Sequence, residues 1–134
     1  MTKATNKILI DADAFIALVN SDDSNNHAAH AINTHIDTDG YKKYMSNLVI
    51  YEIANVLSIR ASQKLAVEFL TSIFTSDIEV IYIDETRTYA AIQTFKNYIK
   101  KNISFVDCSN LILMEEYRID KIFSFDKFYK EKLL

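Results

Sequence analysis

Lys7-Ile8-Leu9-Ile10-Asp11-Ala12-Asp13-Ala14-Phe15 is the stretch on which the fold turns. Ile8-Leu9-Ile10 is a continuous apolar run of the length of a short buried strand, and Phe15, Ile16, Leu18 and Val19 then recur at helical spacing. The strand-to-helix turn between them holds Asp11 and Asp13. Three more acids stand in similar settings along the chain. Glu52 interrupts Leu48-Val49-Ile50-Tyr51, Asp107 follows Phe105-Val106, and Asp126 follows Ile122-Phe123-Ser124-Phe125. A carboxylate is costly to bury unless something pairs with it. One shared explanation covers all four: a divalent cation at the carboxyl ends of parallel strands, where open α/β folds gather their ligands. Asp11, Glu52, Asp107 and Asp126 thus point to a metal-dependent hydrolase.

The rest of the chain fits that frame. With 134 residues, 49% hydrophobic and 25% charged, it has the composition of one globular domain spanning residues 1–134. No apolar stretch approaches the roughly 20 residues of a membrane span, and Met1 to Lys7 lacks the apolar core of a signal peptide. A cytoplasmic protein is expected. The single cysteine, Cys108, cannot form an internal disulfide and reads as a small packed residue. A net charge of −3 gives no generic grip on nucleic acid, so a polyanionic substrate has to meet a local basic patch.

One glycine and no proline leave boundaries to periodicity and polar clusters. Asp13 is read as the cap of the helix through Val19. His27 to Ile36 carries apolar residues at helical spacing, and Asp37 to Gly40 forms a turn. Tyr44-Met45 is a short strand, and Ser46 or Asn47 caps a helix from Leu48 to about Arg60, with Glu52 one turn past its start. Ser62 caps the next, running to Phe74. Glu79 to Ile83 alternates as a strand does, and Asp84 opens a long helix to about Lys101. Phe105 to Tyr117 reads as a helix with Asp107 in its first turn, Lys121 to Phe125 as the last strand, and Asp126 to Leu134 as a terminal helical turn or two. Strands alternating with helices predict a mainly parallel sheet covered on both faces.

Four segments in this order carry a family likeness: Ile8-Leu9-Ile10-Asp11-Ala12-Asp13-Ala14-Phe15, Ser46-Asn47-Leu48-Val49-Ile50-Tyr51-Glu52, Ser104-Phe105-Val106-Asp107 and Ser124-Phe125-Asp126-Lys127-Phe128. Together they resemble the PIN-domain nucleases, nearest to the VapC-type toxins of bacterial toxin–antitoxin pairs, over about Lys7 to Phe128. The resemblance implies a three-layer α/β/α domain around a mainly parallel sheet. It further implies that Asp11, Glu52, Asp107 and Asp126 hold one or two Mg2+ or Mn2+ ions for endonucleolytic RNA cleavage, with transfer RNA among the candidate substrates. A VapB-like antitoxin and a second copy of the chain are the implied partners; no membrane is. Three residues depart from the family pattern: Asp13 stands where many relatives have Ser, Thr or Asn, Ser124 replaces a common Thr, and Arg118 a frequent Gly.

On this reading Asp11 is the central ligand, Glu52 and Asp107 complete its shell, and Asp126 binds a second metal or orients water. Ser46, Asn55 and Ser124 are expected to support the acids, and Asp13 either adds charge or, in the favoured reading, only caps its helix. Each acid taken alone has a blander explanation as a turn or surface residue; the inference rests on the set. Asp22-Asp23 and Glu115-Glu116 are assigned to solvated surface, and His27, His30 and His35 lack the ligand spacing of a zinc site. Tyr82, Tyr89, Phe95 and Tyr98 are expected in the core or at its rim. Lys42, Lys43, Arg60, Lys64, Lys127 and Lys130 are candidates for flanking phosphates. Ile59, Leu65, Phe69 and Ile73 lie on segments that PIN relatives use for dimerisation or antitoxin binding, with core packing favoured for at least half. Two other readings stay open: a haloacid-dehalogenase-like phosphatase using Asp11 as nucleophile and Asp13 as acid, which leaves Glu52 unexplained, and a catalytically inert PIN-like binding module.

Overall fold

The computed structural model of the chain describes residues 6–99 and 102–134, and among these four parallel strands lie side by side. They are β1 (Lys7–Ile10), β2 (Lys42–Ser46), β3 (Glu79–Ile81) and β4 (Lys121–Phe123), in the order β3-β2-β1-β4. Leu9 pairs with Tyr44 on one side and Ile122 on the other. The connections carry α1 (Ala12–Val19), α2 (Asn26–Thr38), α3 (Asn47–Arg60), α4 (Gln63–Ile73), α5 (Glu85–Lys96) and α6 (Phe105–Glu116), and a 3-10 helix, Lys127–Lys132, follows β4.

Strand side chains alternate between two faces, and both are covered. Ile8, Ile10, Met45 and Phe123 pack into one core with Ile36, Ile50, Ile53, Leu57 and Phe69 from α2, α3 and α4. Leu9, Tyr44, Ile81 and Ile122 face the other, with Leu113 and Met114 of α6 and Tyr129 of the 3-10 helix. The expected α/β/α sandwich with a parallel sheet is therefore present. Cys108 is buried, as expected.

Local chemistry sets the helix ends. Ser46 Oγ accepts from Val49 N at 3.1 Å, Ser62 Oγ from Leu65 N at 3.1 Å, and Asp84 Oδ1 from Arg87 N at 2.9 Å. Gly40 stops α2 at φ 68, the left-handed conformation that costs glycine least. Arg118 takes the equivalent position after α6 at φ 54, while Ile119 N closes back on Met114 O at 2.8 Å.

Several boundaries differ from the sequence-based expectation. β3 stops at Ile81 rather than Ile83, because Ile83 N donates to Asn47 Oδ1 at 2.7 Å, and Asn47 thereby latches α3 to the end of β3. β4 stops at Phe123 rather than Phe125, because Phe125 N is taken by Asp13 Oδ2 at 3.0 Å. β2 is longer than Tyr44-Met45, and α2 runs on to Thr38. α5 ends at Lys96; the expected end at Lys101 lies outside the described residues. Tyr82, just past β3, and Tyr89 on α5 are exposed rather than packed, while Phe95 meets Phe105 edge-on at the rim and Tyr98 stacks edge-on against Phe128. Beyond β4, Leu133 bridges to Ile122, and Leu134 N donates to Ile122 O at 3.2 Å, so this segment lies along the free side of β4.

Candidate active site

Because every strand runs the same way, the carboxyl ends of β1, β2 and β4 share one sheet edge, and α1, α3, α6 and the 3-10 helix all begin there. Asp11, Ser46, Ser104 and Asp126 are the N-caps of those four helices. Asp11, Asp13, Glu52, Ser104, Asp107 and Asp126 line one open cleft of about 190 Å3 at this edge. Residues separated by more than a hundred positions thus share one space. A larger concavity, about 930 Å3, lies around Ile112, Glu115, Arg118 and Glu131, but it mixes both signs of charge and brings no cluster of one kind together.

Asp11, only 6% exposed, is held from three sides. Its Oδ1 accepts from Ala12 N at 2.9 Å and Asn110 Nδ2 at 3.2 Å, and its Oδ2 accepts from Ser124 Oγ at 2.9 Å. Asp107 closes a capping box with Ser104, in which Asp107 N donates to Ser104 Oγ at 3.0 Å and Asp107 Oδ2 accepts from Ser104 N at 3.2 Å. Its other oxygen, Oδ1, accepts from Tyr129 OH at 2.8 Å. Asp126 Oδ1 accepts from Phe128 N at 2.9 Å, while its own N–H donates to Ser124 Oγ at 3.0 Å. Glu52 reaches the cleft from the second turn of α3.

The favoured reading of Asp13 as a cap is corrected here. Asp11 ends β1 with its N–H still bonded to Phe123 O at 3.0 Å, so α1 starts at Ala12 and Asp11 is its cap. Asp13 falls inside the first turn, and its carboxylate turns to the cleft, 3.3 Å from Ser124 Oγ. Ser124 supports Asp11 as expected, but Ser46 spends its hydroxyl on the cap of α3, and Asn55 is exposed on α3 and does not line the cleft. His27, His30 and His35 sit exposed on α2, away from the acids. Asn110 and Tyr129 were missed by the sequence reading. Asn110 had a signal, an amide in the apolar run Cys108 to Met114 one helical turn past Asp107; Tyr129 had none, because its contacts are distant in sequence.

The electrostatics are those of crowded like charge. Burial, then the neighbouring Asp13 and to a lesser degree Asp107, raise the Asp11 carboxyl from 3.8 to about 7. Burial raises Glu52 as well, with Asp107 and Asp13 adding to it, and burial with Asp126 raises Asp13. Among the described residues no lysine or arginine forms an ion pair with any of these five acids. Four helix starts add partial positive charge at this edge. Oxygen-only donors with net negative charge are the set that hard divalent cations take. Among the described residues no three donors already converge into a closed metal cage. The acids line the walls of a cleft that leaves room for a second ligand, as a catalytic cation site requires.

The PIN domain family model matches residues 8–132. Among solved structures, VapC20 of Mycobacterium tuberculosis, described as a toxin that cleaves the sarcin-ricin loop, superposes with a TM-score of 0.80 at 20% identity, over 91% of this chain and 92% of that one. At that identity the likeness shows the fold. No curated protein matches the chain in sequence.

Proposed function

The chain belongs to the PIN domain family, and from that premise we propose that it is a divalent-metal-dependent endoribonuclease acting as the toxin of a VapBC-type pair. The observation that carries this reading is the cleft in which Asp11, Asp13, Glu52, Asp107 and Asp126 meet, none of them paired with a lysine or arginine among the described residues. The structurally similar VapC20, a toxin described as cleaving the sarcin-ricin loop, supports RNA as the substrate class. A VapB-like antitoxin, self-association into a homodimer and a cytoplasmic setting belong to the same proposal. No described helix is long and apolar enough to cross a membrane.

Asp11, Glu52 and Asp107 would hold Mg2+ or Mn2+, and Asp126 a second ion or a water. When bound, the ion supplies charge neutralisation at the phosphate and lowers the pKa of a water. The chain's own residues do the rest. Ser124 has one hydroxyl proton and gives it to Asp11, the nearer of its two acidic neighbours, so it fixes that carboxylate's rotation. The Asp11 carboxyl, raised to about 7, has to be ionised to coordinate, so metal binding weakens as pH falls. Asp13, held by Phe125 N at 3.0 Å, adds negative charge at the rim.

Phosphates on either side of the cut need cations elsewhere. Lys127 follows Asp126 and stands nearest to the cleft in sequence, whereas Lys42 and Lys43 start β2, at the opposite end of the strands. They pair with Glu79 at 3.8 Å and with Asp37 and Asp77, so two of the phosphate candidates are set aside. The test is to incubate the purified protein and its Asp11→Asn variant with transfer RNA and a sarcin-ricin-loop oligonucleotide, in Mg2+ or Mn2+ and in chelator, and to map the ends. Metal-dependent cuts lost in the variant, by roughly a hundredfold or more, are expected. A folded, antitoxin-free protein that leaves every RNA intact would overturn the nuclease in favour of an inert PIN-like module.

A further inference from the structure

We propose that Asn110 and Tyr129 are positioning residues that hold Asp11 and Asp107 at the separation and orientation a divalent cation needs; the inference rests on the metal-dependent reading above. Asn110 is 0% exposed and Tyr129 2%. Asn110 Nδ2 donates to Asp11 Oδ1 at 3.2 Å and to Tyr129 OH at 3.1 Å, and the phenol O–H donates to Asp107 Oδ1 at 2.8 Å. An unbroken hydrogen-bonded path thus runs from the β1–α1 junction through α6 and the 3-10 helix back to the start of α6.

With Asp11 ionised, as a metal ligand has to be, the direction of this path has only one solution. Turning the Asn110 amide over would set its Oδ1 against the Asp11 carboxylate and remove the donor that the phenol oxygen accepts. The observed orientation leaves Asn110 Oδ1 without a partner in the interior of the described residues. A residue kept only for packing would not be an amide with a stranded oxygen, since its neighbours Cys108, Leu113 and Met114 are buried and need no partner. Both amide hydrogens go to the acid pair, one directly and one through Tyr129. Every donor in the path is also neutral. A lysine or arginine fixing two acids would cancel the charge that attracts a cation. Neutral donors orient Asp11 and Asp107 and leave their negative charge in place, which is how outer partners of metal-binding carboxylates work.

The experiment is calorimetric titration of the chelator-stripped full chain with Mn2+, for the wild type, Tyr129→Phe, Asn110→Leu and the double variant, with Asp11→Asn as the site control. Tyr129→Phe removes one oxygen. It is expected to weaken Mn2+ binding by about tenfold and to lower the metal-free melting temperature slightly, because the Asn110 amide hydrogen that met the phenol is left unpaired. Asn110→Leu, which also removes the stranded oxygen, is expected to weaken Mn2+ binding similarly without loss of thermal stability, and the double variant by less than the product of the two, because both act through one path. Excess Mn2+ should restore RNA cleavage by Tyr129→Phe. Mn2+ affinity within about twofold of wild type in both single variants overturns the positioning role alone. A wild type whose Mn2+ binding is absent, or unaffected by Asp11→Asn, overturns the metal-dependent reading and this inference with it.

Discussion

Asp11 is the residue on which the chemistry and the stability of the chain pull in opposite directions. Its carboxyl is raised from 3.8 to about 7, so between those values the native protein binds a proton that the unfolded chain does not. Stability of the metal-free protein therefore falls as pH rises through that window, and the favourable contribution is complete below 3.8 and lost above about 7. Replacing the carboxylate with an amide removes the penalty. Ser124 Oγ can then turn its proton to Asp13 Oδ1 at 3.3 Å and accept from the new amide. Asp11→Asn is accordingly expected to raise metal-free stability at pH 8 by on the order of 1–2 kcal/mol and to flatten the pH dependence between 4 and 7. Thermal melts in chelator across that range check it; a variant that melts below the wild type at pH 8 would mean the ionised carboxylate is well accommodated. At this scale the sequence exposed the acids, because each stands against an apolar run, but not their supports. Tyr129 contacts Asp107, 22 residues away, and nothing in the sequence around either predicts that pairing.

Helices and strands were more legible than their supports, for the reason that their signals are local. Ser46, Ser62, Asp84 and Ser104 cap the helices they precede, since a side-chain oxygen needs only the next three residues to find its donor. The errors lie where a distant group intervenes: Asn47 ends β3, and Asp13 ends β4. The exposure of Tyr89 was hidden as well, because the apolar spacing of α5 does not say which of its faces turns to α6. Ile59, at 83% exposed, stands apart from Phe69 and Ile73, which fill the core between α3, α4 and the sheet. Arg118 is an element-level imperfection. It terminates α6 at φ 54, where a Cβ is strained, and it stands where the family often carries glycine. Arg118→Gly is expected to stabilise the protein by about 0.5–1 kcal/mol, read as a rise in the denaturation midpoint with unchanged slope. A lower midpoint would show that the Arg118 side chain does more for α6 than its backbone strain costs.

For the whole molecule, the parallel arrangement is what turns scattered acids into a site: once every strand points the same way, each strand-to-helix junction delivers its residues to one edge. That much followed from the alternation of short apolar runs with helical periods, and the matched family confirms the architecture over residues 8–132. The same arrangement sends Lys42 and Lys43 to the far end, a placement that their sequence neighbourhood, two lysines before a strand, does not reveal.

The pairing of Leu133 and Leu134 with Ile122 carries a consequence for how the protein behaves at high concentration. An open strand margin is a template on which other chains polymerise, and β4, with Ile122 and Phe123 at its heart, is apolar enough to be a dangerous one. Leu134 N occupies Ile122 O, so this short segment works as a guard against self-propagating assembly. Leu134→Pro deletes that donor without touching the cleft. Its solutions are expected to scatter light and form thioflavin-positive aggregates at concentrations where the wild type stays clear, so the guard matters most when the protein accumulates to high concentration.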